Sequence, residues 1–213
     1  MARNILNFYQ LNCHKRDKAN IHLNQLSTML KNGLFVGLCQ EPGHSQGKIK
    51  SFEKHLKIFQ GCDKNPRACI VIDKSINSIK LNQYCNADQV AIQIMDGSNT
   101  LVLSSIYMPY DSIDPPPTAL TMNLVAHCRS RGWRLIIGSD ANSHNTAWGS
   151  SDTNPRGDNL LYYIMSANLS VCNQGTTSTF VNVKREEVID ITLAASNREG
   201  IKELESKHGI CLL

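Results

Sequence analysis

Residues 133 to 144 read WRLIIGSDANSH, a mainly apolar run that passes directly into a carboxylate, a carboxamide and an imidazole. This pattern predicts a buried strand with polar side chains at its C-terminal end. Open α/β sheets present catalytic groups at the carboxyl ends of their strands. Asp140, Asn142 and His144 are therefore the first candidates for a functional site, although Asp and Asn also favour turns for purely local hydrogen-bonding reasons.

Four other apolar runs end in, or contain, an isolated polar residue that a core strand does not require. Ile5 to Leu11 leads into Asn12, Leu34 to Gln40 into Glu41, and Leu101 to Ile106 into Tyr107, while Val188 to Leu193 contains Asp190. An unpaired carboxylate buried within an apolar run is costly. We therefore expect Asp190 to have a partner, and a histidine is the obvious candidate.

The polar residues form an ordered series along the chain. The motifs are QLN (10–12), QEP (40–42), IYMP (106–109), SDANSH (139–144), TF (179–180), IDIT (189–192) and SKH (206–208). In this order they resemble the motifs of the exonuclease-endonuclease-phosphatase (DNase I-like) superfamily, and within it the apurinic-endonuclease-like domain of non-LTR retrotransposons. The resemblance spans essentially the whole chain and includes Arg67-Ala68, Ala147-Trp148-Gly149, Arg156-Gly157 and Asn173-x-Gly175.

A chain of 213 residues fits one large α/β domain or two small ones, and the spread of the motifs from residue 12 to residue 208 favours a single domain over residues 1–213. With 41% hydrophobic and 19% charged residues, the chain can bury a core. Nothing in the chain resembles a linker, and the prolines at 115–117 suit a stiff lead-in to a helix. The net charge of +4 suits a protein that approaches a polyanion. The lysine-rich stretch from Lys48 to Lys64 is either a solvated face or a surface that follows DNA phosphates.

The eight cysteines show no C-x-x-C pair and no Cys/His zinc spacing, so we expect reduced core thiols and no zinc. Residues 1–4 lead straight into a strand without a signal peptide, and no apolar run is long enough to cross a membrane. These features predict a nuclear or cytoplasmic protein that is not secreted and has no membrane partner.

Apolar spacing predicts helices at about 17–31, 117–131 and 157–168. Leu120, Leu124, His127 and Cys128 should face inward from the second, and Leu160, Leu161, Ile164 and Met165 from the third. Strands are expected at about 34–39, 68–73, 76–84, 88–95 and 100–107. This mixture favours two stacked sheets over a doubly wound sheet, but periodicity does not separate them. The resemblance implies a four-layer α/β sandwich, with two packed mixed β-sheets flanked by helices.

Phosphodiester hydrolysis requires an activated water and neutralisation of the charge that builds on the phosphoryl oxygens. Glu41 is the natural ligand for a hard divalent cation, Mg²⁺ with Mn²⁺ as a substitute. Asp140 can orient or deprotonate the water, and Asn142 can bind a non-bridging oxygen without adding negative charge. The resemblance implies these same roles. It also implies that Asn12 orients the phosphate or the metal shell, and that Tyr107 binds the phosphate or assists departure of the 3' oxygen.

A histidine held by a buried acid can present a proton-donating face to a transition state, and Asp190 with His208 would supply that pair. His144 lies close to Asp140 in sequence and is expected to contact substrate phosphate, as is Arg67. Trp148 either stacks on a base or is buried for structural reasons. His22, His55 and His127 are interpreted as surface or boundary residues, whereas His14 could touch the site.

Two positions depart from the family pattern. His14 stands where related repair enzymes commonly carry an acidic residue. The C-terminal motif, usually Ser-Asp-His, reads Ser206-Lys207-His208, and Lys207 would repel a nearby divalent cation unless its side chain swings outward. The last strand is also expected to stop short.

Three functional hypotheses follow. The first is a Mg²⁺-dependent DNA endonuclease that nicks one strand and leaves a 3' hydroxyl, which a reverse transcriptase encoded downstream would extend. The second is a degenerate copy that binds DNA or a partner but no longer cuts, because of Lys207 and the short C-terminus. The third is a phosphatase or nuclease of the same fold that acts on smaller phosphate esters.

Overall fold

The computed structural model describes residues 5–50, 52–97, 99–173, 177–181, 183, 186–195, 205–207 and 210–212. Within these residues the strands are β1 (Leu6–Asn12), β2 (Leu34–Gln40), β3 (His44–Ser45), β4 (Lys48–Ile49), β5 (Leu56–Gln60), β6 (Ala68–Asp73), β7 (Ser78–Lys80), β8 (Gln89–Asp96), β9 (Asn99–Tyr107), β10 (Arg134–Asp140), β11 (Ser170–Val171), β12 (Phe180–Val181), β13 (Glu186–Glu187), β14 (Asp190–Ala195), β15 (Glu205–Lys207) and β16 (Ile210–Leu212). The α-helices are α1 (Asp17–Met29), α2 (Ala119–Ser130) and α3 (Pro155–Ser166).

Most of the strands belong to two six-stranded mixed sheets. The first has the order β15-β16-β1-β2-β6-β5, and the second has the order β11-β14-β10-β9-β8-β7. The pairs β1/β2 and β9/β10 are parallel, and the remaining pairs in both sheets are antiparallel. The predicted α/β class with two mixed sheets is therefore confirmed.

Three apolar layers hold these elements together. The central layer lies between the sheets, where Val36 and Ile70 of the first sheet pack with Ile92 and Leu103 of the second. A second layer packs α1, through the fully buried Leu23, against the outer face of the first sheet. A third packs α2 and α3 against the outer face of the second sheet. The resulting order is helix, sheet, sheet, helix.

The helix positions agree with the sequence, but two of the predicted inward faces need correction. The buried residues of α2 are Thr121, Leu124, Val125 and Cys128, so the face is rotated from Leu120 and His127. Thr121 lies inside because its hydroxyl donates to Gln89 Oε1 at 2.7 Å. In α3 the side chain of Met165 is 72% exposed, although it was expected to face inward.

Four of the five predicted strands are confirmed as β2, β6, β8 and β9, and the fifth is present only in part. Only Ser78–Lys80 of the predicted strand 76–84 is extended, because a single 3-10 turn follows at Asn82–Tyr84. The lysine-rich stretch contains β5, which pairs with β6 at the edge of the first sheet and was not predicted. Lys57 belongs to this strand, and its ammonium donates to the carbonyl of Ile76.

A buried polar layer joins the two sheets just below the strand ends. Gln10 donates to the carbonyl of Ser139 at 3.0 Å and accepts from the Thr192 hydroxyl at 2.6 Å. Gln40 donates to the carbonyl of Gly138 at 3.0 Å. Paired polar groups that are buried in this way restrict how two surfaces can slide over each other. The layer therefore fixes the ends of β1 and β2 relative to the end of β10.

Candidate active site

Five of the predicted site residues lie at adjoining strand ends. Asn12, Tyr107 and Asp140 are the last residues of β1, β9 and β10, and Glu41 directly follows β2. Asp190 is the first residue of β14, which runs antiparallel to β10, so its Cα lies opposite that of Asp140. The Cα of Asp140 is also in register with that of Tyr107 on the other side. The two sheets therefore present these side chains along one edge of the sandwich.

A direct hydrogen bond connects the two sheets at this edge. Asn12 Nδ2 donates to Asp140 Oδ2 at 2.6 Å, and both side chains are buried. The other oxygen of Asp140 accepts from the backbone N–H of Asn142 at 3.2 Å. The carboxamide oxygen of Asn12 accepts from the backbone N–H of His14 at 3.0 Å. Asn12 therefore orients the Asp140 carboxylate.

The buried carboxylates disfavour one another's charge. Burial raises the pKa of Asp140 well above its usual range, and the negative charges of Asp190 and Glu41 raise it further, although hydrogen bonds from Asn142 oppose the shift. Burial likewise raises the pKa of Asp190 to about 7, against a hydrogen bond from Thr179. The Oδ1 atom of Asp190 is buried and has no hydrogen-bond partner within the described residues.

This arrangement fits a divalent cation. The charges of Asp190 and Glu41 both act on Asp140, and a cation beside these carboxylates would offset their mutual repulsion. All the donors are oxygens, which is the ligand type that Mg²⁺ prefers. Glu41 lies nearest to solvent, and its oxygens are 3.9 Å from His14 Nδ1 and 3.6 Å from Lys15 Nζ. His14 thus contacts the predicted metal ligand.

Tyr107 is held by a cationic side chain against its ring. The Arg67 guanidinium lies 4.9 Å from the centroid of the Tyr107 ring and makes a two-pronged ion pair with Asp88, with Nη2 2.7 Å from Oδ2. Burial, followed by the charges of Glu41 and Asp140, raises the pKa of Tyr107 to about 12, against the opposing effect of Arg67. Arg67 was expected to contact DNA phosphate, and its charge is directed to Asp88 and Tyr107.

Asn142 occupies a constrained position in the loop after β10. Its φ of 44° is in the left-handed region, and its Nδ2 donates to the carbonyl of Met108 at 3.2 Å. The carbonyl of Asn142 accepts from Arg156 Nε at 3.2 Å, and Arg156 Nη2 donates to the carbonyl of Pro109 at 2.9 Å. Sequence reasoning assigned Arg156 no role in the site. The family-like Arg156-Gly157 pair was the available signal.

The environment of His144 was also not predicted. Its Nδ1 lies 2.8 Å from Asp152 Oδ1 and 3.8 Å from Glu187 Oε1. The Glu187 carboxylate also accepts hydrogen bonds from the backbone N–H and the hydroxyl of Ser151. His144 is therefore the centre of an acidic cluster beside the loop of Asn142.

His208 lies outside the described residues, so its predicted pairing with Asp190 stays a prediction. Lys207 is the last residue of β15, and Cα pairing places it opposite Ile210 of β16. β16 in turn pairs with β1, the strand that carries Asn12. Trp148 is 2% exposed, which favours its structural interpretation.

Two packed mixed sheets between outer helices, with acid and amide side chains at one edge, define the endonuclease/exonuclease/phosphatase class of fold. A sequence profile described as endonuclease-reverse transcriptase matches residues 101–210, and the chain belongs to this family. The membership confirms the resemblance that the motif order indicated. A comparison with curated protein sequences finds no significant match.

Solved structures resemble the chain over most of its length. The endonuclease domain of TRAS1, a telomere-specific non-LTR retrotransposon, is 21% identical and has a TM-score of 0.79, with 98% of this chain and 96% of that chain covered. The catalytic domain of Xenopus laevis APE2 is 12% identical, with a TM-score of 0.60 and coverage of 93% and 84%. The Neisseria 3' phosphatase NExo, bound to a product DNA hairpin, is 9% identical, with a TM-score of 0.57 and coverage of 90% and 87%. At these identities the likeness concerns the fold.

No helix in the described part of the chain is both long and apolar enough to span a lipid bilayer.

Proposed function

We propose that this chain is the endonuclease domain of a non-LTR retrotransposon, which nicks one DNA strand and leaves a 3' hydroxyl. The observation that carries the proposal is the meeting of Asn12, Glu41, Tyr107, Asp140 and Asp190 at one edge of the sandwich. The family membership supports a nuclease, and the likeness to the TRAS1 domain supports the retrotransposon setting. Mg²⁺ is the proposed cofactor, with Mn²⁺ as a substitute.

Asp140 is the proposed base. Its carboxylate is held by Asn12 and by the backbone of Asn142, so its orientation is fixed before DNA arrives. Burial makes it more basic than an ordinary aspartate, which suits a group that takes a proton from water near neutral pH. Glu41 and Asn12 would hold the cation. When bound, the cation neutralises the negative charge on the phosphoryl oxygens.

Tyr107 and Asn142 are proposed to bind the scissile phosphate. With a pKa of about 12, the phenol keeps its proton at neutral pH and donates a hydrogen bond to a phosphate oxygen or to the departing 3' oxygen. Asn142 adds a carboxamide without negative charge. Arg67 acts through Tyr107, because Asp88 binds its guanidinium on the face of the Tyr107 ring. We therefore assign Arg67 as a positioning residue for Tyr107.

The pairing of Asp190 with His208 remains part of this proposal. The Oδ1 atom of Asp190 has no hydrogen-bond partner among the residues that the structure describes, which supports the pairing, because a buried carboxylate oxygen in a folded protein ordinarily accepts a hydrogen bond. An imidazolium beside Asp190 would keep the carboxylate ionised and would offer a proton to the transition state. His144 is proposed to lie beside the DNA phosphates that flank the nick.

DNA is the proposed partner, together with a reverse transcriptase that extends the 3' hydroxyl. We also propose that residues 1–213 form a single domain and that the protein works in the nucleus or cytoplasm. The nuclear setting is where chromosomal DNA would be nicked.

The test is conversion of supercoiled plasmid to nicked circle by purified protein with Mg²⁺, with EDTA as the metal-free control. Extension of the nick by a DNA polymerase reports the 3' hydroxyl. The exposed Asp114 provides a matched control, since Asp114→Asn should nick like the wild type while Asp140→Ala should not. The absence of nicking by folded wild-type protein would favour the degenerate copy. A gain of nicking in Lys207→Asp would then identify Lys207 as the cause.

A phosphatase would behave differently in the same preparation. It would release inorganic phosphate from a small ester and leave the plasmid intact. Nicking without release of inorganic phosphate is the result that we expect.

A further inference from the structure

A second cluster of metal-binding side chains lies apart from the proposed catalytic ligands. His144 Nδ1, Asp152 Oδ1 and a carboxylate oxygen of Glu187 all lie within 4.8 Å of one another. His144 and Asp152 lie eight residues apart in the segment after β10, whereas Glu187 belongs to β13. A search of the sequence for close Cys and His spacing therefore does not detect them.

The two separations measured from His144 Nδ1 differ by a few tenths of an ångström from those of ligands that share one ion. Two ligands that each lie about 2.1 Å from a metal are roughly 3 to 3.5 Å apart in octahedral or tetrahedral geometry. The Nδ1 atom of His144 is 2.8 Å from Asp152 Oδ1 and 3.8 Å from Glu187 Oε1. Side-chain adjustments of a few tenths of an ångström would suffice to bind an ion.

Neighbouring groups hold the ligands in place. Ser151 donates to Glu187 Oε2 through its backbone N–H at 2.9 Å and to Oε1 through its hydroxyl at 2.7 Å. Hydrogen bonds of this kind fix the orientation of metal ligands in proteins. Burial opposes the charge of Glu187, but the Ser151 hydrogen bonds and His144 outweigh it and lower its pKa. Half of the Asp152 side chain is exposed, which leaves a path for an ion and its waters.

The donor set indicates the class of ion. An imidazole nitrogen with two carboxylates suits Zn²⁺ and similar transition-metal ions, whereas Mg²⁺ prefers oxygen donors alone. We propose that His144, Asp152 and Glu187 form a second metal site that takes a Zn²⁺-like ion in preference to Mg²⁺.

An ion at this site would connect two parts of the active-site edge. His144 follows Asn142 in the loop after β10, while Glu187 precedes the segment that leads into Asp190. At present the loop is attached to that segment through Ser150, whose hydroxyl donates to the carbonyl of Val188, and through Ser151. The ion would add a bridge between the two segments and stabilise the folded chain.

The experiment measures Zn²⁺ binding by the full chain, in a large excess of Mg²⁺ and without DNA. Equilibrium dialysis gives the number of bound ions for the wild type, His144→Ala and Asp152→Asn. His22→Ala is the matched control, because His22 is exposed on α1. The spectrum of bound Co²⁺ distinguishes imidazole and carboxylate ligands from thiolates, because only thiolates give an intense charge-transfer band.

We expect the wild type and His22→Ala to bind one more Zn²⁺ per chain than either site variant. Asp152→Asn changes an exposed side chain, so it provides the answer even if His144→Ala fails to fold. Equal Zn²⁺ binding by the wild type and Asp152→Asn would overturn the proposal. A Co²⁺ spectrum that disappears when the thiols are blocked, but is unchanged in the site variants, would also overturn it. Because no step measures nicking, the result is independent of the proposed endonuclease activity.

Discussion

Replacing Asp140 by asparagine should stabilise the metal-free protein while it slows nicking by a factor of about 10² or more. The wild-type carboxylate is 2% exposed, and burial together with Asp190 and Glu41 raises its pKa. A folded-state pKa above the unfolded value means that the folded protein binds more protons, so stability falls as the pH rises through this range. The penalty on the charged form therefore grows as the pH rises towards the folded-state pKa of Asp140.

The size of the effect follows from two opposing contributions. Relief of an uncompensated buried charge should contribute about 2–4 kcal/mol. An asparagine offers only one acceptor to the two donors, Asn12 Nδ2 and the N–H of Asn142, so one hydrogen bond worth about 1 kcal/mol is lost. We therefore expect Asp140→Asn to be more stable than the wild type by about 1–3 kcal/mol near pH 8. The gain should disappear near pH 4, where the wild-type carboxyl is neutral.

Urea unfolding, followed by tryptophan fluorescence in EDTA at both pH values, measures this difference. Asp114→Asn is the control, and its stability should match that of the wild type at both pH values. Mg²⁺ should narrow the gap by stabilising the wild type more than Asp140→Asn. A variant that is less stable than the wild type near pH 8, or a difference that does not change with pH, would refute this reasoning.

Three further outcomes are expected. Without metal, the free energy of unfolding of His208→Ala should fall by a few kcal/mol more than that of the wild type as the pH is raised from about 4 to 8, because an unpaired Asp190 has a pKa of about 7. Parallel pH profiles of the two proteins would exclude the pairing. Gly157→Ala should have a free energy of unfolding lower by about 1–3 kcal/mol, because a Cβ there would overlap the backbone carbonyl of His144. A urea midpoint equal to that of the wild type would contradict this. Arg67→Ala should lower kcat about tenfold or more with little change in KM and have no further effect in Tyr107→Phe, whereas additive losses would indicate direct DNA contact.

The strand ends of the site were predictable because one physical pattern marks them. The apolar runs that stop at Asn12, Tyr107 and Asp140 form strands that end where the site begins. Strands that are buried on both faces are continuous apolar runs, so the first polar residue marks the end of the strand. The acid within the run at Asp190 was predictable for the same reason. Its position opposite Asp140 was not, since the antiparallel pairing of β14 with β10 depends on the whole sheet.

Contacts between loops could not be predicted from the sequence. From the sequence, Arg67 was expected to bind phosphate. Its ion pair with Asp88 forms because the residues just before β6 and just before β8 are bonded to each other, through the backbone N–H of Arg67 and the carbonyl of Ala87. The cluster around His144 also depends on tertiary structure. Lys57 lies in a stretch that was interpreted as a solvated face or a phosphate-following surface. This stretch nevertheless forms an edge strand, because Leu56 packs in the layer of α1 and Phe59 packs in the layer between the sheets.

The most direct test of the central claim is the nicking of supercoiled plasmid by wild type and Asp140→Asn at equal concentrations of folded protein. With Mg²⁺, the wild type should convert plasmid to nicked circle, and the variant should be slower by a factor of about 10² or more. EDTA should stop the wild type. Equal nicking by the two proteins, or nicking that persists in EDTA, would contradict the assignment of a metal-dependent nuclease centred on Asp140.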